Sequence, residues 1–287
     1  MSGLKISDIT SFIKNEPYIK EVIAKYNISD TEILDNLNVF EEAYKSINLC
    51  RNCNGINNCK QKTKGEVFTI GYDGKPINVI RYCKFLKTQL HIDKIRSSYV
   101  YTDIPNKLLT LNLDNIQPNN EWQELLFKPL YDILNKERNK GVYIYGGFGV
   151  GKTYFVSALA NSLVEKGNKV VFVKCNPFVT DMYALLMEDT YSFENLLNKI
   201  KKADYLIIDD IGTENVSAFS RDRLLYNILE YRLDNDLCTI FTSNFDIKNL
   251  EVRFNQIPDP NAGRICERIK SLADEFILRG ENQRHND

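Results

Sequence analysis

Hydrophobic and polar positions follow two different patterns along the chain. Up to about residue 45, apolar residues recur every three or four positions, which is typical of short amphipathic helices. Beyond Glu121, short apolar runs alternate with helical patterns, and they predict strands at 141–145, 169–174, 205–209, 238–242 and 275–278. Two of the helical patterns between them lie at 152–165 and 221–233. Apolar strands separated by helices predict an α/β fold with a largely parallel sheet covered on both faces.

The amino-terminal part contains a smaller set of elements. Ser29 and Glu32 have the spacing of a capping box and predict the start of a helix. The residues expected to face inward from this helix are Ile33, Leu34, Leu37, Phe40 and Tyr44. Further on, two strand-like runs at 66–70 and 77–81 flank the turn signal Asp73-Gly74, and together they predict a hairpin.

Length, charge and targeting signals narrow the class of protein. The 287 residues are enough for two domains, and the change of pattern near residue 95 predicts domains of residues 1–95 and 96–287. A net charge of −1 argues against a chain-wide basic footprint for duplex DNA but leaves room for a local basic groove. There is neither the apolar core of a signal peptide nor a run of roughly 20 apolar residues. We therefore expect a cytoplasmic protein with no membrane segment, whose seven cysteines are reduced thiols or metal ligands.

A phosphate-binding loop stands between the first strand and the first helix of the α/β part. Gly146 is followed after four residues by Gly151, Lys152 and Thr153, which matches the Walker A pattern in full. Its glycines let backbone N–H groups surround phosphate oxygens, and the helix amino terminus adds positive charge. Lys152 is expected to reach the β- and γ-phosphates and Thr153 to hold Mg²⁺. The predicted ATP/ADP-binding residues are Gly146, Gly147, Gly149, Val150, Gly151, Lys152, Thr153, Tyr154 and Asp209. The alternative is a glycine-rich turn without a ligand.

Polar residues follow two of the predicted strands. Asp209 is expected to be the Walker B ligand of Mg²⁺, and Asp210 to polarise the attacking water as a general base. Alternatively, Asp210 only caps the turn that follows. Asn244, after strand 238–242, is a candidate for contact with the γ-phosphate or the water, although asparagine is also common at the end of a strand.

Four arginines are candidates for neutralising charge in the transition state. Arg264 and Arg268 stand four residues apart and therefore share one helical face. A P-loop ATPase can receive such an arginine from a neighbouring subunit. Arg284, and Arg279 as second choice, could act as a sensor within the same subunit. The simpler alternative is that these side chains are solvated.

Four cysteines lie within 34 positions of the amino-terminal part: Cys50, Cys53, Cys59 and Cys83. A Cys-x2-Cys pair is half of a common tetrahedral zinc site, and the predicted hairpin would bring Cys83 back to it. Four sulfur ligands close the coordination sphere, so we predict a structural Zn²⁺. The alternatives are a set of unrelated buried thiols, or His91 in place of the fourth ligand.

Several motifs together resemble those of bacterial replicative helicase loaders of the DnaI/DnaC type. They are GGFGVGKT, YLIIDDIGTE, FTSN and GRICERI, and the cysteine module makes the chain more similar to DnaI. The resemblance implies a carboxy-terminal AAA+ ATPase without a separate lid domain, preceded by a small helical zinc-binding domain. It further implies that the amino-terminal domain binds the hexameric replicative DNA helicase. The ATPase domain would self-assemble and help to deposit that helicase on single-stranded DNA. By motif match, Arg268 would be the arginine finger in trans, with Arg264 as second choice, and Arg284 the second sensor.

Two other functions fit the same motifs. A transposition-helper ATPase of the same clade would bind duplex DNA and a transposase, and a nucleotide-gated adaptor would bind ATP without turnover. A single-strand-binding surface is expected to combine aromatic and basic residues. The candidates for it lie between the second and third strands of the α/β part: Tyr183, Tyr191, Phe193, Lys199, Lys201 and Lys202. These are equally compatible with core aromatics and a solvated basic face.

Overall fold

The computed structural model describes residues 11, 13–256 and 261–282. The chain divides into two compact units, residues 1–91 and 92–287.

The first unit packs short helices against a two-stranded sheet. Its elements are the helices α1 (Pro17–Tyr26), α2 (Asp30–Asp35) and α3 (Leu37–Cys50) and the strands β1 (Glu66–Tyr72) and β2 (Pro76–Tyr82). The two strands pair antiparallel, with Phe68 opposite Ile80, which confirms the predicted hairpin. The small core is formed by apolar residues of the helices together with Ile70 from β1.

The capping box at Ser29 and Glu32 is confirmed, but the predicted continuous helix is wrong. The chain leaves the helix at Asn36, whose side-chain amide donates a hydrogen bond to the Glu32 carbonyl oxygen, and a new helix begins at the next residue. Ile33 and Phe40 are buried as expected, and Leu37 and Tyr44 are partly buried. Leu34 is 51% exposed, because the break ends the helical face on which it would have turned inward.

The second unit is a layered α/β structure. In chain order its elements are α4 (Lys84–Ser98, which begins before residue 92), β3 (Tyr101–Thr102), α5 (Glu121–Leu134), β4 (Gly141–Tyr145), α6 (Lys152–Glu165), β5 (Val170–Lys174), α7 (Cys175–Glu188), α8 (Thr190–Lys201), β6 (Tyr205–Asp209), a π-helical turn (Phe219–Leu225), α9 (Tyr226–Asp234), β7 (Thr239–Ser243), α10 (Ile247–Phe254), α11 (Asn261–Leu272) and β8 (Ala273–Ile277).

Six strands of the described chain form one parallel sheet in the order β3-β5-β6-β7-β4-β8. Two buried clusters lie on its two faces. One is built with helices α7 to α11, and the other with α5 and α6. The predicted α/β fold with a parallel sheet is confirmed. The described residues end at Asn282, five positions after β8, and they contain no separate helical lid domain.

Helix α4 and the short strand β3 were not predicted, and one predicted helix and one predicted strand differ in detail. Residues 84–98 form helix α4. Among its described residues only Ile95 is fully buried, so the helix needs almost no apolar face and its sequence shows little helical periodicity. The predicted helix at 221–233 begins as a π-helical turn and continues as α9. The strand predicted at 275–278 begins two residues earlier, at Ala273, beside Gly141 of β4.

Because the strands are parallel, the polar residues at their carboxyl ends lie at the same edge of the sheet. The carboxyl ends of β4, β6 and β7 are Tyr145, Asp209 and Ser243, and these three strands are neighbours or next neighbours in the sheet. Ligands of open parallel sheets bind at this edge.

Candidate nucleotide-binding site

The loop between β4 and α6 has a backbone that only glycine adopts easily. Gly149 has a φ of +75°, and a Cβ built there would lie 1.8 Å from Oδ1 of Asn282. Gly151, with a φ of +103°, ends the loop, and α6 begins at the next residue. A glycine at each of these positions therefore allows the tight loop that the Walker A pattern requires.

Lys152 joins the loop to the end of β7. Its ammonium group donates hydrogen bonds to the carbonyl oxygens of Gly146 (2.8 Å) and Gly147 (2.7 Å) and to Oδ1 of Asn244 (2.9 Å). The side chain is only 6% exposed. The ammonium group carries a positive charge at the start of α6, where it can form charge-assisted hydrogen bonds with phosphate. The structure therefore brings Lys152 and Asn244 together, as a site for the terminal phosphates requires.

Asp209 at the end of β6 meets Thr153 at the start of α6. The Thr153 hydroxyl donates to Oδ1 of Asp209 at 2.9 Å, and the Thr242 hydroxyl of β7 donates to the same oxygen at 2.6 Å. Burial, together with the charge of Asp210, raises the pKa of Asp209 to about 6. A cation would favour the ionised form of this carboxylate. A carboxylate and a hydroxyl are oxygen ligands of the kind that Mg²⁺ prefers, so the residues fit this ion.

Asp210 follows the strand with an unusual backbone. Its φ is +58°, in the left-handed region, and its N–H donates to the Thr242 hydroxyl at 2.8 Å. The carboxyl group is half-buried, whereas that of Asp209 is fully buried. The two neighbouring carboxylates are therefore presented differently, one held by hydroxyl groups inside the protein and one nearer to solvent.

The remaining predicted nucleotide contacts are mixed in exposure. Val150 is buried, Tyr154 is 38% exposed, and the ring of Tyr154 lies edge-on to that of Phe155 at 5.8 Å. Phe148, inside the loop, is 68% exposed.

The predicted arginines lie in different surroundings. Arg268 forms an ion pair with Glu230 of α9, and its guanidinium group lies 5.4 Å from the centre of the Tyr226 ring. Arg264, one turn earlier on α11, is exposed. Arg279 lies over the Trp122 ring at 4.9 Å, and Arg284 lies outside the described residues. The contacts made by Arg268 and Arg279 are not with the phosphate loop, so the roles assigned to the arginines stay predictions.

Two buried polar residues at this site were missed by sequence reasoning. Thr242 lies inside an apolar strand and contacts both Asp209 and the backbone of Asp210. Glu214 is fully buried four residues after Asp210. A hydroxyl group within an apolar strand that runs beside the acidic strand is a signal that could have identified Thr242. Glu214 is the last residue of the motif YLIIDDIGTE, but the motif alone does not show that its side chain is buried or what it contacts.

The four cysteines of the first unit line one cavity of about 230 Å³. Three of their sulfurs accept N–H hydrogen bonds: Cys50 from the Gln61 side chain (3.2 Å), Cys59 from Gly65 (3.3 Å) and Cys83 from Leu86 (3.4 Å). Such donors stabilise thiolates. However, no three His, Cys, Asp or Glu side chains of the described residues are arranged as ligands of one metal ion. Thus the residue types fit zinc, but the sulfurs are not drawn together. His91 is exposed.

The residues predicted to form a single-strand-binding surface differ in exposure, and the surface itself stays a prediction. Tyr183 and Tyr191 are 51% and 77% exposed and are open to a partner. Phe193 is buried in the core with its ring 6.3 Å from that of Phe219 in the π-helical turn, so its inclusion in that surface is wrong. Lys199 and Lys202 are exposed.

None of the helices within the described residues is long and apolar enough to cross a bilayer.

Residues 121–285 match the family described as IstB-like ATP binding protein. The replicative helicase loader DnaI of Bacillus subtilis (strain 168) is 29% identical over 296 aligned positions, which cover 98% of this chain and 91% of that protein. A crystal structure of DnaI matches with a TM-score of 0.57 and 29% identity, over 67% of this chain and 100% of the other. The DnaC helicase loader, with a TM-score of 0.53 and 23% identity over 61% and 100%, shares the fold.

Proposed function

The chain belongs to the family of IstB-like ATP binding proteins, and we propose that it is an ATP-dependent loader of the hexameric replicative DNA helicase. In this proposal it helps to place the helicase on single-stranded DNA during replication initiation or restart. The observation that carries the proposal is the similarity to DnaI over 98% of this chain, which includes the amino-terminal cysteine module as well as the ATPase motifs. The similarity to DnaI and DnaC loaders that the sequence motifs suggested is itself confirmed.

The two parts of the chain have separate tasks in this proposal. Residues 1–95 bind the helicase, and residues 96–287 bind and hydrolyse ATP and self-assemble. Lys152 binds the β- and γ-phosphates in exchange for the oxygens of Gly146, Gly147 and Asn244, which it contacts at 2.7–2.9 Å. Thr153 and Asp209 would hold Mg²⁺, which when bound neutralises charge on the phosphates.

Hydrolysis requires a base and a means of charge neutralisation. Asp210 is nearer to solvent than Asp209, and it accepts a proton from the attacking water in this account. Asn244 orients the same water or the γ-phosphate. Arg268 acts in trans on a neighbouring subunit's nucleotide after leaving its ion pair with Glu230, with Arg264 as second choice and Arg284 as the sensor in cis. Turnover is expected to be slow and stimulated by partners.

A transposition-helper ATPase is the second candidate, because the family match itself covers the ATPase half. Such a helper would prefer duplex DNA, whereas a loader prefers single strands. A third candidate is an ATP-gated adaptor without turnover, and the effect of removing the Asp210 carboxylate separates it from a motor.

The proposal is tested by association with the cognate hexameric helicase in the presence of ATP or ADP. We expect a stable complex whose amount depends on the nucleotide, together with single-stranded DNA binding that exceeds duplex binding. Co-purification followed by native mass spectrometry gives the composition directly. If the well-folded full chain does not associate with the helicase in either nucleotide, the loader function is wrong.

A structural zinc ion in the amino-terminal domain is part of the same proposal. We expect about one Zn²⁺ per chain, because four thiolates in a small module close a tetrahedral site. Cys53→Ser should lower the zinc content several-fold and destabilise this domain. The control is Cys238→Ser, which changes a buried thiol of the ATPase domain and should leave the zinc content unchanged. Metal analysis of both variants, purified in parallel, checks this. A full chain that folds stably without zinc would contradict it.

A further inference from the structure

Glu214 is a fully buried carboxylate close to the predicted catalytic residue Asp210. Its Oε2 atom accepts a hydrogen bond from the Gly212 N–H at 2.7 Å and a second from the Cys175 thiol at 3.2 Å. The other oxygen, Oε1, is buried without a hydrogen-bond partner among the described residues. Burying a carboxylate with one oxygen unsatisfied is unfavourable, so the arrangement costs stability that another benefit must offset.

The bonds to Glu214 link segments that surround the acidic strand tip. Cys175 is the first residue of α7, directly after β5, and burial raises the pKa of its thiol well above the ordinary value. The thiol therefore keeps its proton and donates a hydrogen bond to Glu214. From the other side, Arg253 of α10 donates to the Glu214 carbonyl oxygen at 3.1 Å and lies over the ring of Phe245. Glu214 thus connects the turn after β6 to the beginning of α7 and to α10.

The turn that Glu214 holds is the one that carries Asp210. Asp210 and Gly212 have φ angles of +58° and +91°, so two of three successive residues are in the left-handed region. That conformation is costly for aspartate and persists only if surrounding contacts impose it. Three hydrogen bonds impose it here. The Asp210 N–H donates to the Thr242 hydroxyl (2.8 Å), and the Thr213 hydroxyl donates to the Asp210 carbonyl oxygen (2.7 Å). The Gly212 N–H donates to Glu214.

We propose that Glu214 is a positioning residue for ATP hydrolysis, because its Oε2 atom fixes the strained turn that aims the Asp210 carboxylate. The inference rests on the proposed ATPase function. Both hydrogen bonds go to the same oxygen, so the proposed role depends on where that acceptor oxygen lies. Glutamine at this position retains an oxygen in place, whereas aspartate keeps the charge but withdraws the oxygen by one methylene.

The test compares Glu214→Gln with Glu214→Asp in the full-length chain. We expect E214Q to keep kcat within about threefold of the unmodified protein, and E214D to lose about tenfold or more, because small displacements of catalytic groups lower kcat strongly. ATP affinity, measured by titration, should change less than about threefold in both. Equal kcat in E214D and the unmodified protein, a greater loss in E214Q, or a parallel loss of ATP affinity would overturn the inference. If E214D does not fold, Glu214→Leu takes its place, and failure of both to fold indicates a purely structural role.

A double-mutant cycle separates this inference from the proposed function. If Glu214 acts through Asp210, adding E214D to the Asp210→Asn variant should lower kcat no further. A full additional loss means that Glu214 acts elsewhere, although the ATPase function would stand. If Asp210→Asn hydrolyses ATP as fast as the unmodified protein, the role of Asp210 itself is wrong.

Discussion

Replacing Lys152 by alanine is expected to lower the affinity for MgATP by roughly 100-fold, because charged hydrogen bonds to phosphate are lost. In the structure Lys152 is 6% exposed, and its ammonium group donates hydrogen bonds to three oxygen atoms of Gly146, Gly147 and Asn244 at 2.7–2.9 Å. Alanine leaves the loop backbone in place but removes the positive charge at the point where the terminal phosphates are expected. Calorimetric titration with ATP and Mg²⁺ measures the loss.

The matched control is Lys128→Ala. This lysine side chain is 81% exposed and pairs with Asp132 on the surface of α5, so its removal should leave ATP affinity unchanged. Equal affinities in Lys152→Ala and the control, with both variants folded, would mean that the loop does not bind the triphosphate through Lys152.

The second large effect is expected from Asp210→Asn. Loss of a general base should lower the rate of hydrolysis by about 10²- to 10⁴-fold. ATP binding should persist, because the magnesium ligands Thr153 and Asp209 are unchanged and their hydrogen bond at 2.9 Å does not involve Asp210. The measurement is phosphate release under single-turnover conditions, together with a binding titration of the same variant.

Asp209→Asn is the matched comparison for that experiment. This change removes the buried carboxylate that Thr153 and Thr242 contact, so the dependence of ATP binding on Mg²⁺ should weaken. The two neighbouring substitutions should therefore separate binding from hydrolysis. If both variants lose Mg²⁺-dependent binding equally, the division of tasks between the two aspartates is wrong. If helicase loading persists in Asp210→Asn while hydrolysis is lost, ATP acts as a conformational ligand.

The sequence predicts the second unit better than the first. Long apolar strands and the Walker A pattern depend on residues close together in the chain, so β4 and α6 are predicted with the bounds that the structure has. The break at Asn36 could not be predicted, because a capping interaction there overrides a continuous apolar pattern. Helix α4 was missed because it buries little of its surface.

Within the site, the residues expected to contact phosphate and Mg²⁺ could be identified from the sequence, but the contacts of the residues that hold them in place could not. Lys152 and Asn244 are 92 positions apart, but strand order brings them to 2.9 Å. Thr242 and Glu214 lie within the motifs FTSN and YLIIDDIGTE, but they contact backbone groups of distant or strained segments, and only the fold shows those contacts. Phe193 is the reverse case. It was predicted to lie on a binding surface because it stands in a basic segment, but it belongs to the core.

In the proposed function, the loop before Lys152 and the tip of β6 together bind a magnesium–triphosphate. The direct measurement is a calorimetric titration of the full-length chain with ATP, with Mg²⁺ present and again after its removal by a chelator. We predict one ATP per chain, with an affinity that falls clearly when Mg²⁺ is removed, because Thr153 and Asp209 act through the ion. A folded chain that takes up no ATP, or that binds ATP equally well without Mg²⁺, would contradict the claim.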